Sequence, residues 1–175
     1  MVADLAISSY RIRAAIQTDL AAIHSIENVA FSDPYPRRLL ARLLSDCPDS
    51  FLVAESESGT VVGYCVASYE GEIAHLLSIA VLPEHRRRGI GTALIRRVIA
   101  IMSFAAKAMV LEVKIRNTEA IKLYEELGFQ SVETLEHYYS DGAAAVKMCL
   151  AIRGRGTAQA SGSRDARETE PGGRF

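Results

Sequence analysis

The sequence predicts a mixed α/β domain of about seven strands and four helices. Three observations predict it. Short β-branched apolar runs recur from Tyr10 to Leu150, four stretches with helical spacing of leucines and isoleucines lie between them, and the two kinds do not alternate strictly. The order reads strand, two helices, three strands, helix, strand, helix, two strands. Strict alternation would call for a doubly wound parallel sheet; this order calls for an α+β mixed sheet.

Each element has a local reason. Tyr10, Ile12 and Ala14 alternate with Arg11 and Arg13, the period of a strand. Thr18 is placed to cap a helix with Leu20, Ile23 and Ile26 on its apolar stripe. Residues 31–36 (FSDPYP) are turn-rich, and Pro36 suits the first position of a second helix carrying Leu39, Leu40, Leu43 and Leu44. Residues 50–55 and 61–69, separated by SESG, read as a hairpin. A strand over 75–82 ends at Pro83. A long helix opens near Gly89, with Ile90, Leu94, Val98 and Ile101 on one stripe. A strand spans 109–115. A short helix over 118–127 stops at Gly128, the residue type best suited to a left-handed helix end. Strands over 129–135 and 144–150 close the domain.

The chain's 175 residues suffice for one domain with a real core. No apolar run is long enough to span a membrane, and residues 1–10 lack the basic start and apolar block of a secretory signal. The formal net charge of −1 disfavours a general nucleic-acid binder. Cys47, Cys65 and Cys149 are odd in number and widely spaced, which fits neither a disulfide framework nor a zinc site. Three reduced thiols in a cytoplasmic protein, with no metal, are expected. The domain is expected over 1–152. Residues 153–175 carry almost no large apolar side chains and are expected to be a disordered tail.

The most informative stretch is Arg86-Arg87-Arg88-Gly89-Ile90-Gly91. It follows a strand and opens a helix, where unpaired N–H groups and the helix dipole favour an anion. Glycines let a phosphate approach the backbone, and arginines add bidentate donors. A diphosphate is the natural guest. The stretch is not a P-loop, because the lysine-serine/threonine ending is missing, and it lacks the third glycine of the dinucleotide fingerprint. On these residues alone a solvated basic turn is an equal reading.

Arg86-x-x-Gly89-x-Gly91 after HLLSIAVLPEH (75–85) resembles the acetyl-CoA signature of the GNAT acetyltransferases. A second and longer match is LEVKIRNTEAIKLYEELGF (111–129), which resembles the N-terminal acetyltransferase branch of that family, including bacterial ribosomal-protein alanine acetyltransferases and their archaeal relatives. The resemblance covers roughly residues 10–150 and implies the GNAT acyl-CoA N-acyltransferase fold. It implies that Ile79, Ala80 and Val81 meet the pantetheine arm through their backbone. It implies that Arg86, Arg87, Arg88, Gly89, Ile90, Gly91 and Thr92 hold the pyrophosphate, and that Asn117 and Tyr124 also contact acetyl-CoA.

The chemical residues follow. Strand alternation puts Leu111, Val113 and Ile115 on one face and Glu112 with Lys114 on the other. A half-exposed sheet edge would explain Glu112; the resemblance makes it the general base, acting through a water. Tyr124 reads by spacing as a core tyrosine; the resemblance makes it the acid that protonates the leaving thiolate. Asn117 is an N-cap by position. In HYYSDG (137–142), the Asp-Gly pair signals a turn. Neighbouring tyrosines on a strand would face opposite sides, whereas the resemblance gives Tyr138 and Tyr139 to the acceptor backbone. Where the branch carries acidic residues after this glycine, the chain has Ala143-Ala144-Ala145. The resemblance also implies that Phe31, Asp33 and Tyr35 meet the acceptor's first residue. His24 and His75 read as isolated packing or surface residues.

The expected activity is acetyl transfer from acetyl-CoA to the N-terminal α-amine of a protein or peptide, ribosomal proteins included, by a monomer or weak homodimer that engages neither nucleic acid nor membrane. A lysine or small-amine acetyltransferase and a non-catalytic CoA-binding module are the alternatives.

Overall fold

The computed structural model describes residues 5–7 and 9–152; the expected tail lies outside them. Among the described residues, eight strands form one sheet: β1 (Leu5–Ile7), β2 (Tyr10–Ala14), β3 (Phe51–Ser56), β4 (Val61–Glu70), β5 (Ile73–Val81), β6 (Ala108–Lys114), β7 (Gln130–Leu135) and β8 (Ala145–Ala151). Their spatial order is β1-β2-β3-β4-β5-β6-β8-β7. The seven expected strands are present, and β1 adds an edge strand antiparallel to β2. Four α-helices cover the sheet: α1 (Leu20–Ala30), α2 (Arg37–Asp46), α3 (Ile90–Met102) and α4 (Thr118–Glu126).

The helices divide between two cores. On one face Leu94, Ile95 and Val98 of α3 and Tyr124 of α4 pack with Leu76, Leu111 and Val113. On the other, Ile23 and Ile26 of α1 and Leu40 of α2 pack with Phe51, Val53 and Tyr64. Two helix starts differ from expectation. A 3₁₀ turn (Gln17–Asp19) contains Thr18 and precedes α1, which has no side-chain cap; the carboxylate of Asp19 reaches back to accept the N–H of Ile16 at 2.8 Å. Asp19 also holds Arg13, so it fixes this corner from both sides. Pro36 sits one position earlier than expected, as the N-cap of α2, its carbonyl accepting from Leu39 at 2.8 Å.

The site owes its place to one irregularity. Every neighbouring pair is antiparallel except β5–β6, which is parallel and paired only over Ile73–Ala108, Ala74–Met109 and His75–Val110. Beyond that point β5 continues with β4 as far as Val81, and β6 continues with β8 as far as Lys114. The two central strands therefore separate and leave a wedge. A β-bulge starts it: Val66 faces Ser78 and Ala67 faces Leu76, so Leu77 is the extra residue on β5. Bulges bend the strand that carries them. Here the bulge also resets the alternation, so that Leu77 packs toward the α1–α2 side and Ile79 toward the α3–α4 side.

Candidate active site

The wedge opens into a cleft of about 1450 Å³. Ile79, Ala80 and Val81 of β5 form one wall; they pair with β4 on one side but have no partner strand on the β6 side, which leaves that edge open to an extended ligand. The basic turn forms the end wall. A 3₁₀ turn (Pro83–His85) leads into it, Arg87 and Gly89 take left-handed φ values of 62° and 79°, and α3 begins at Ile90 without a side-chain cap. The first N–H groups of a thirteen-residue helix thus face the cleft. A Cβ added at Gly89 would meet no atom within 4 Å, so the glycine is required by its φ.

The arginines take three different roles. Arg86 donates from Nε to the carbonyl of Val81 at 3.0 Å, locking turn to strand. Arg87 reaches Glu119 of α4 at 3.1 Å, with both side chains exposed. Arg88 corrects an expectation: its guanidinium turns away and donates to the phenol oxygen of Tyr10 at 3.0 Å, and it does not line the cleft. Tyr10 in turn bonds His85 Nδ1 at 3.0 Å, so Arg88 braces the turn from behind. The other expected cofactor residues, Ile90, Gly91, Thr92, Asn117 and Tyr124 among them, all line the cleft. Asn117 caps α4, accepting the N–H of Ala120 at 3.2 Å.

Glu112 is 4 % exposed. It lies in the middle of β6, between β5 and β8, so a half-exposed sheet edge does not describe it. Leu111 and Val113 face the core as expected, while Ile115 lies past the strand's end and is exposed. Glu112 is not a cleft-wall residue, although Lys114 two positions on is. Its Oε2 lies 2.6 Å from Nε2 of His75. His75 is therefore not isolated; it stands at the last β5–β6 pair, where the strands part. With its proton on Nε2, the ring donates to the carboxylate and keeps Nδ1 as an acceptor. Lys147 of β8 lies directly across from Glu112, so a cation shares that face.

Tyr124 is 2 % exposed and packs edge-to-face on Phe129, centroids 5.7 Å apart. Burial, with Tyr139 and Cys65 nearby, pushes its phenol far above the usual range. The group is thus a fixed O–H donor rather than a ready source of protons.

The rest of the cleft is built from two loops. Phe31, Asp33 and Tyr35 line it from the segment between α1 and α2, and Tyr138 and Tyr139 from the β7–β8 connection. The tyrosines are in the loop, not on opposite faces of a strand: they contact edge-to-face at 5.1 Å and both line the cleft. A turn closed by Gly142 N–H on the Tyr139 carbonyl (2.8 Å), with Gly142 at φ 77°, holds them. Lys114 pairs with Asp141 at 2.7 Å and lies 5.0 Å from the Tyr139 ring centroid. Ser140 donates to Asp33 at 3.3 Å, joining the two loops.

Residues 20–129 match the acetyltransferase (GNAT) family. The chain belongs to the GNAT acetyltransferase family. An N-alpha-acetyltransferase of Sulfurisphaera tokodaii is 39% identical over 157 residues, covering 82% of this chain and 93% of that protein. The [ribosomal protein bS18]-alanine N-acetyltransferase of Escherichia coli is 32% identical over 139 residues, covering 77% and 93%. The crystal structure of Ard1 from Thermoplasma volcanium superposes with a TM-score of 0.79 at 31% identity, covering 83% of this chain and 99% of that one. This GNAT chain is an acetyl-CoA-dependent N-acetyltransferase. Its wedge and turn fit that co-substrate: a free strand edge for an extended arm, and a helix start beside Arg86 and Arg87 for a diphosphate.

Sequence reasoning missed His75, because its partner is 37 residues away and reached only through the parallel β5–β6 pairing. It missed Ser140 for the same kind of reason, since Asp33 lies 107 residues distant.

Proposed function

We propose that this N-acetyltransferase serves the N-terminal α-amine of a protein or peptide, transferring the acetyl group directly within a ternary complex, with Glu112 and His75 as a joint base. The 2.6 Å Glu112–His75 contact at the apex of the wedge carries the reading. A buried carboxylate and an imidazole in hydrogen bond can share a proton taken from the cleft. Because Glu112 is set back from the wall, the proton passes through a water. The amine that attacks must be neutral. At pH 7 an α-amine of pKa about 7.7–8.0 costs roughly 1 kcal/mol to deprotonate, and a lysine near 10.4 costs about 4.6. A carboxylate–imidazole pair suffices for the first.

Tyr124 donates its O–H toward the leaving sulfur. Its raised pKa limits it to stabilising the developing thiolate by a hydrogen bond. Direct transfer is favoured because no cysteine lines the cleft among the described residues, and burial raises the thiols of Cys47 and Cys65. Phe31, Asp33 and Tyr35 take the first acceptor residue, and Tyr138 and Tyr139 take the peptide backbone. Ribosomal proteins are included as acceptors on the strength of the E. coli relative. Three free thiols suit a reducing compartment, and we place the enzyme in the cytoplasm.

A panel of peptides with free and blocked N-termini, plus polyamines, tests this reading. Product should form only on free N-termini. Equal acetylation of blocked, lysine-containing peptides would overturn it.

A further inference from the structure

Glu27 is 1 % exposed and belongs to neither the cofactor turn nor the base pair. Burying a carboxyl group is unfavourable unless its oxygens are engaged, and all three of its contacts are informative. Oε1 accepts from the hydroxyls of Tyr64 on β4 and, at 3.1 Å, Ser78 on β5. Those two hydroxyls are themselves 2.7 Å apart. Oε2 accepts the backbone N–H of Tyr35 at 2.9 Å. Tyr35 is the end of the acceptor loop, and its own hydroxyl donates to the carbonyl of Leu77 at 3.4 Å. Leu77 is the bulged residue at which β5 leaves β6.

One side chain thus ties three pieces together. Ser78 sits immediately before Ile79, Ala80 and Val81, the free strand edge that faces the co-substrate. Tyr35 lines the acceptor side. Tyr64 is fully buried between them, and burial together with Glu27 raises its phenol well above the usual range, which keeps it a donor. A generic core position would be filled by an apolar side chain at lower desolvation cost. Here a backbone N–H of the acceptor loop is held to the strand through a single carboxylate.

We infer that Glu27 is a positioning residue: it sets the acceptor loop against β5, and so sets where the acceptor amine stands relative to the acetyl group. The inference rests on the acceptor assignment above. Misplacement of reacting groups by about 1 Å is enough to cost rate by orders of magnitude.

The test compares Glu27→Leu with Glu27→Gln by peptide kinetics and by calorimetric binding of acetyl-CoA. The Leu side chain fills the space but accepts no hydrogen bond. The Gln oxygen can accept from Tyr35 while its NH₂ donates to the Tyr64 and Ser78 oxygens. For folded Glu27→Leu we expect peptide kcat/KM to fall about tenfold or more, mainly through KM, with acetyl-CoA affinity within about twofold of wild type; Glu27→Gln should recover most of the loss. Peptide kcat/KM within about twofold of wild type in folded Glu27→Leu overturns the inference. So does a parallel loss of acetyl-CoA affinity, or failure of Glu27→Gln to recover. If Glu27→Leu does not fold, Tyr64→Phe replaces it. That variant removes one donor and keeps the ring, and should raise peptide KM several-fold at unchanged acetyl-CoA affinity; an unchanged KM overturns the inference. Failure of the acceptor assignment itself looks different, because wild type would then acetylate no free N-terminus in the same assay.

Discussion

At the scale of single residues, the proposed chemistry rests on buried Glu112, its part-buried partner His75, and buried Tyr124. His75→Gln keeps a donor for Glu112 Oε2 but has no ring to take a proton. Turnover on a peptide should drop by about 10²- to 10⁴-fold, the usual worth of general-base catalysis, with acetyl-CoA affinity unchanged. Near-normal turnover would leave His75 a structural partner only. The Glu112→Gln and His75→Gln losses should combine less than additively, because either substitution disables the same pair. Tyr124→Phe should lower turnover while the ring still packs on Phe129. The raised phenol pKa gives that prediction a pH signature. Tyr124 stays protonated through the working range, so the variant's loss should be constant with pH, whereas a loss shrinking toward alkaline pH would mean that the phenol titrates there. Glu112 and Tyr124 were legible in the sequence through motif resemblance. His75 and Glu27 were not. Only non-local pairing gives each its partner: β5 with β6 for His75, and α1 against β4 for Glu27.

At the scale of elements, the basic turn and the α1 corner make separate predictions. In the turn, a Cβ at Gly91 would meet Leu123 at 3.6 Å, ordinary contact, and Gly91 has no left-handed φ. Gly91→Ala should therefore be tolerated, while Gly91→Asp puts a negative charge at the helix start and should weaken acetyl-CoA binding by at least about tenfold in calorimetry. Equal affinities for the two variants would remove the diphosphate from this turn. At the corner, burial raises the Asp19 carboxyl, but hydrogen bonds from Arg13 and the Ile16 N–H outweigh it and hold it below its usual value. A carboxyl depressed in the folded state contributes stability above its unfolded pKa, near 3.9, and loses it as pH falls through the folded value. Asp19→Asn should cost about 1–2 kcal/mol at neutral pH. The gap to wild type in urea titrations should narrow as pH drops below about 4. A pH-independent gap would contradict that origin. Most element positions were readable because β-branched alternation and leucine spacing are local signals. The edge strand β1 is too short to announce itself; the turn at Asp141-Gly142 was legible, but nothing local shows that β7 ends at Leu135 and leaves Tyr138 and Tyr139 in the loop.

At the scale of the molecule, function follows from a sheet that parts in its middle. The expected element order was correct, but order alone does not say that β5 and β6 are neighbours, that they run parallel, or that a bulge at Leu77 ends their pairing after three residue pairs. Those are tertiary facts, and they place the free strand edge and the helix start around one cleft, with the Glu112–His75 pair set back where the strands part. We propose direct acetylation of an α-amine with that pair as the base. It is tested most directly with one peptide carrying both a free N-terminus and an internal lysine, incubated with acetyl-CoA and either wild type or Glu112→Gln, with the modified nitrogen located by fragmentation mass spectrometry. Acetyl is expected on the α-nitrogen alone, formed about 10²- to 10⁴-fold more slowly by Glu112→Gln when chemistry limits the rate. Acetyl on the lysine nitrogen, or an undiminished rate in Glu112→Gln, would contradict it.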